Sequence, residues 1–287
     1  MPCGRGPRRS RRSLRVPLLL GVGLHERPTL LRGVLRGGKP RCRLLRPMSA
    51  APPEQSRRLA ARVWSARCVV ERAAARRFEQ LAVELDAQGV SSNVTGLARE
   101  AADDELRHAE ICESLARHFG APPAGVTESF ALRRVAPPYL GRRDALAYEV
   151  VALCCVTETL STALLGRLVE RATDGLARQG LQSILRDEVR HSRLGWAYLA
   201  ETAPPQAMAA VSRHLPALLA ATLSDELFDE STVSFDEAAL AGLGQLERDE
   251  RRRTTHETLE KVVFPGLELF GVHVAAGRRW LRGRTQL

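Results

Sequence analysis

The feature that most restricts this chain is a pentad written twice: DELRH at Asp104–His108 and DEVRH at Asp187–His191, 83 positions apart, each placing Glu three residues before His. None of the other five His has Glu at that spacing. Stepping by three and four residues through the first pentad gives Val94, Ala98, Ala101, Glu105, His108, Cys112, Leu115 and Phe119. The same walk through the second gives Leu181, Ile184, Glu188, His191, Gly195 and Tyr198. Positions so spaced share one face of an α-helix. Each stripe is apolar except for its Glu and His, so the pattern predicts two helices that turn a carboxylate and an imidazole into a core. Ionised groups there are costly unless paired or bound to metal.

A matching stripe precedes each pentad. Trp64, Cys68, Glu71, Ala75, Phe78, Ala82 and Leu85 form one, with Glu71 as its lone carboxylate. The rival, Glu79, shares a face with Arg72, Arg76 and Asp86, which reads as solvated. Tyr148, Val151, Cys155, Glu158, Thr162, Leu165 and Val169 form the other. CVVE ends at Glu71 and CVTE at Glu158, so the chain reads as an internal duplication whose halves each supply Glu and then Glu-x-x-His. Four Glu and two His are thereby expected inside one bundle.

From about residue 54 onward the composition is helical and no strand pattern appears. Turn signals lie at AQGVSSN (87–93), along Gly120–Gly141, at DGLARQG (174–180) and at TAPP (202–205). Short, long and short connections predict an all-α four-helix bundle over 54–202 with one long crossover. Residues 206–287 read as a C-terminal extension of three more helices packed on the bundle and broken near Pro265. His256 in that extension could add a ligand, though no spacing requires it.

The formal charge of +10 is concentrated at one end: residues 1–47 carry 13 Lys and Arg against one acid, leaving 30 basic and 32 acidic side chains in the other 240 residues. A near-neutral body removes the main argument for a nucleic-acid partner. Residues 1–47 are expected to be a disordered leader or a mispredicted start ahead of Met48; a twin-arginine export signal is the alternative. No Cys-x-x-Cys occurs among the six Cys, which argues against a zinc ribbon or disulfide scaffold. No apolar run reaches the roughly 18 residues of a membrane span. A cytoplasmic protein is expected.

Glu71, Glu105-x-x-His108, Glu158 and Glu188-x-x-His191 resemble the ligand pattern of the ferritin-like di-iron carboxylate superfamily, over residues 54–202. The resemblance implies two metal ions, with Glu71 and Glu158 terminal on opposite ions, Glu105 and Glu188 bridging, and His108 and His191 binding one each. It also implies that Asp104 accepts a hydrogen bond from His191, and Asp187 one from His108; surface pairs with Arg107 and Arg190 are the alternative. Four carboxylates balance two dications while the imidazoles stay neutral, and an oxygen-rich set favours iron, or manganese, over structural zinc. Thr162, a turn after Glu158, matches a threonine beside the metals in oxygen-activating relatives, or else is core. Ala75, Ala101 and Gly195 are expected to leave room for oxygen or a substrate. The implied activity is an oxidoreductase that uses O₂ or peroxide to oxidise a small molecule, with electrons from a separate donor protein; a homodimer is compatible with it. Iron handling by a ferroxidase or storage protein, and a metal-free helical adaptor, are the competing readings.

Overall fold

Ala, Leu, Arg and Glu lose little side-chain freedom in a helix, and the chain uses them accordingly. The computed structural model describes residues 52–122, 134–202, 204–223 and 240–285, and among them there is no strand. The expected leader, 1–47, lies outside the described residues, as do 123–133 of the crossover and the acidic stretch 224–239.

Helix α1 (Glu54–Ala87) and helix α2 (Ser92–His118) form a hairpin. Its turn depends on Gly89 at φ 69°, a left-handed position that costs glycine little. The Ser91 hydroxyl caps α2 by accepting from Val94 N–H at 3.3 Å. Helix α3 (Arg142–Arg171) and helix α4 (Gly175–Thr202) form a second hairpin. Here the turn is tighter than the DGLARQG signal implied. Asp174 caps the helix, its Oδ1 accepting from Leu176 N–H at 3.0 Å and Ala177 N–H at 2.9 Å. Gly180 therefore lies inside α4, where a Cβ would stand 2.9 Å from both Ile111 and Leu115 of α2.

The described ends of the crossover determine its course. Arg57, near the start of α1, donates to His118 O at 2.8 Å, at the end of α2. Gln88, at the far end of α1, donates to Arg142 O at 3.0 Å, at the start of α3. His118 also meets Asp174 at 3.1 Å, at the start of α4. The chain thus leaves α2 at one end of the bundle and enters α3 at the other, traversing a bundle roughly 50 Å long by the rise of the 34-residue α1. Helices α2 and α3 run parallel, so the long crossover is required.

Helix α3 departs from regular geometry over Val151–Glu158, which is π-helical; the Thr157 hydroxyl donates to Ala152 O, five residues back, at 3.0 Å. Nearly every side chain of this segment is buried. The cause is the C-terminal extension: α5 (Pro205–Thr222) and α6 (Arg248–Thr258, continued by a π-helical turn Leu259–Val263 and by Phe264–Leu269) cover the outer face of α3, with α7 (Ala275–Thr285) behind α5. The expected break near Pro265 does not occur. Phe264 N–H bonds to Leu259 O across the wider π turn, and the helix continues through the proline to Leu269.

Contrary to the expectation from apolar runs, Arg142–Arg171 is long and apolar enough by length and composition to cross a membrane. More than half of its apolar window is buried within the protein. Two apolar clusters fill the bundle. One gathers Trp64, Cys112, Leu115, Leu168, Leu181 and Ile184, the other Phe78, Ala101, Tyr148, Cys155, Leu194 and Tyr198. Between them, along all four bundle helices, lies a single polar layer.

Candidate metal centre

That polar layer consists of the six side chains expected from the stripes. Two groups of potential ligand atoms occur, Glu71, Glu105, His108 and Glu188 in one and Glu105, Glu158, Glu188 and His191 in the other, the atoms of each lying within 4.8 Å of one another. Glu105 and Glu188 belong to both groups. Five of the six residues are at most 4% exposed, whereas Glu71 is partly exposed.

The imidazoles are oriented from outside the layer. His108 donates Nε2–H to Asp187 Oδ2 at 3.2 Å, and His191 donates Nε2–H to Asp104 Oδ2 at 3.1 Å. With the proton on Nε2, Nδ1 presents its lone pair inward. His108 Nδ1 lies 3.3 Å from Glu105 Oε2 and 3.7 Å from Glu188 Oε1; His191 Nδ1 lies 3.1 Å from Glu105 Oε1 and 3.8 Å from both Glu158 and Glu188. The surface pairs coexist with these bonds. Arg107 and Arg190 each bind both aspartates, Arg190 reaching Asp104 and Asp187 at 2.8 Å. Burial would raise the Asp104 carboxyl, but hydrogen bonds from Arg190, His191 and Arg107 hold it below the usual carboxylate range.

Within the layer the charges conflict. Burial, then the neighbouring Glu105, pushes the Glu71 carboxyl well up; burial, then Glu158, does the same to Glu188. Glu158 is raised by burial and by Glu105. Glu105 is the exception: burial opposes its ionisation, yet the His108 and His191 imidazoles beside it hold it at about 2. Glu188 Oε2 and His191 Nδ1 are buried and have no hydrogen-bond partner. Buried polar atoms are rarely left so. Two cations shared through Glu105 and Glu188 fit this donor set, since they would engage both orphaned atoms and offset four carboxylate charges.

The layer has two distinct sides. All four Glu line a cavity of about 570 Å³, while neither His does. Val70, Leu160, Leu164 and Leu168 supply its apolar wall, and Arg67, Arg251 and Thr255 its polar one.

Three expectations change. Thr162 does not direct its hydroxyl at the carboxylates; it donates to the backbone carbonyls of Glu158 at 2.9 Å and Glu188 at 3.2 Å, tying α3 to α4. Gly195 opens no space for substrate. A Cβ there would meet Cys155 Sγ at 2.6 Å and Cys155 N at 2.9 Å, so the glycine serves close packing of α4 on the π segment. Ala75 and Ala101 are sealed in the core, and the open space is on the Val70 and Ala74 side instead. His256 belongs to neither ligand group. Arg251 and Thr255 carried no sequence signal, because the register of α6 over the cavity is a tertiary outcome. Arg67 did carry one, a turn before Glu71 and stacked over Trp64 at 4.7 Å.

No family model matches the chain, and no match is found among curated proteins. A solved structure, "Protein 19 with aldehyde deformylating oxidase activity" from Synechococcus, matches with a TM-score of 0.52 at 20% identity, over 79% of this chain and 97% of that one. At that identity the likeness shows the fold, a ferritin-like helical bundle.

Proposed function

We propose that this protein is a dinuclear metal oxidoreductase that uses O₂ or peroxide to oxidise a small substrate held in the cavity beside Glu71. The observation that carries this reading is the pair of ligand groups sharing Glu105 and Glu188, with orphaned Glu188 and His191 atoms between them. Glu71 and His108 would complete one ion's ligands, Glu158 and His191 the other's. Iron, or manganese, bound there would supply a redox-active Lewis acid. The oxidase activity printed for the Synechococcus structure is in keeping with the reading.

The chain's own residues have definable tasks. Asp104 and Asp187 keep the proton on Nε2 of each imidazole, leaving Nδ1 free to bind. The two apolar clusters keep water from the layer along the bundle axis. The cavity would admit a substrate on the carboxylate side. Electrons would come from a separate donor protein.

Metal analysis tests the proposal. Protein purified without added metal and then titrated anaerobically with Fe(II) is expected to bind two ions per chain and to consume O₂ afterwards. Glu105→Ala, which removes a residue common to both groups, should abolish binding of the pair. A storage shell would load many more ions, and an adaptor none; either result would overturn the reading.

A further inference from the structure

Arg67 of α1 and Arg251 of α6 face the same cavity from different helices, and Arg67 Nη1 and Arg251 Nε are buried without a hydrogen-bond partner. Glu71, one turn along α1, is a carboxylate whose charge acts on Arg67. Thr255, also lining the cavity and 1% exposed, has a hydroxyl that likewise lacks a partner. Two guanidinium groups at one cavity, each with a buried nitrogen that meets no acceptor, favour an anion that joins them. Burial lowers the Arg67 pKa; Cys112 and Glu71 oppose that shift, and Arg251 adds to it.

Resting on the function proposed above, we infer that Arg67, Arg251 and Thr255 form the head-group site for a substrate that is an amphipathic monocarboxylate. Guanidinium groups match a carboxylate's two oxygens, and the threonine hydroxyl can donate to the same anion. The wall formed by Val70, Leu160, Leu164 and Leu168 suits an aliphatic or aromatic body, and Glu71, one turn from Arg67, places that body beside the metal ligands. A cavity of about 570 Å³ has room for a body of several carbons. The cluster therefore selects the substrate by charge at one end and by shape along the rest.

Calorimetric titration with octanoate and with its neutral analogue octanamide tests the assignment, on protein loaded with two equivalents of Mn(II) and on the same protein after chelation. Octanoate is expected to bind at least about ten-fold tighter than octanamide in both forms, as charge-assisted hydrogen bonds dictate. Arg67→Gln/Arg251→Gln should remove that preference while retaining two metal ions. Arg251→Gln alone, at a partly exposed position, should reduce it if the double variant does not fold. Equal affinity for the two probes would overturn the proposal. So would octanoate binding that survives the arginine changes but vanishes on chelation, because the carboxylate would then sit on the metal ions. Loss of the preference in a variant that keeps two ions concerns the head-group site; failure of the wild type to bind two ions instead sinks the dinuclear reading.

Discussion

Each imidazole in this bundle is held by a carboxylate on the neighbouring helix, so the histidines arrive at the centre with one nitrogen already committed. Asp104 is the busiest of these supports, serving His191, Arg107 and Arg190 together. Asp104→Ala should weaken metal binding by roughly 10- to 100-fold, the usual cost of removing a hydrogen bond from a ligating histidine. Competition with a calibrated chelator would measure it, and unchanged affinity would show that the bond does not orient His191. Gly195 makes a different kind of contribution, through what it lacks. Gly195→Ala places a methyl 2.6 Å from Cys155 Sγ, and the backbone nitrogen at 2.9 Å cannot easily retreat. A loss of about 1 to 3 kcal/mol in thermal or urea unfolding is expected; a neutral result would mean that α4 can lift away from α3 freely.

At the scale of elements, the π segment and the cap of α4 determine where the second half of the layer lies. Eight π-helical residues end at Glu158, and one turn later Thr162 bridges the backbones of Glu158 and Glu188. Thr162→Val should therefore cost about 1 kcal/mol of stability, the size of a lost hydrogen bond, while the protein still binds two ions. If that variant instead retained full stability but no longer turned over O₂, the threonine would belong to the chemistry after all. Asp174 begins α4 and holds His118 at the same end of the bundle. Its replacement by Ala should cost about 1 kcal/mol as an N-cap loss, seen as a lower melting temperature.

Over the whole molecule, the buried layer makes stability depend on pH and metal together. Glu71, Glu158 and Glu188 are raised in the fold, chiefly by burial, so the metal-free folded chain holds protons that the unfolded chain releases above about pH 4.3. Their stabilisation is complete below that value and is lost as pH rises through the raised folded values. His191, also raised, acts in the same sense: burial lowers it, but Glu105 and Glu158 more than compensate. Glu105 acts oppositely, its contribution present above about pH 4.3 and lost as pH falls towards 2. Chelated protein should thus melt at progressively lower temperature from about pH 5 to about pH 8, and two equivalents of Mn(II) should flatten or reverse the trend, since metal displaces the protons. A melting temperature that climbs over this range without metal would contradict the buried arrangement.

Periodicity and turn signals determined the all-α class, the hairpin pairs and the six residues that meet in one layer, because a stripe interrupted only by Glu and His can satisfy those groups only against similar stripes. The exchange of partners between His108, Asp187, His191 and Asp104 was implied by the family resemblance and not by periodicity, and it is present beside the surface pairs with Arg107 and Arg190. Tertiary structure decided the rest. The π segment over Val151–Glu158 has no signature in residue spacing, and Thr162, a regular turn beyond Glu158, gives its hydroxyl to the backbone carbonyls of Glu158 and Glu188. Gly195 looked like open space because a glycine shows no neighbour in sequence, whereas the approach of α3 fills it. Arg251 and Thr255 reach the cavity through the docking of a separate helix, α6, whose register depends on packing between distant segments and not on any local pattern.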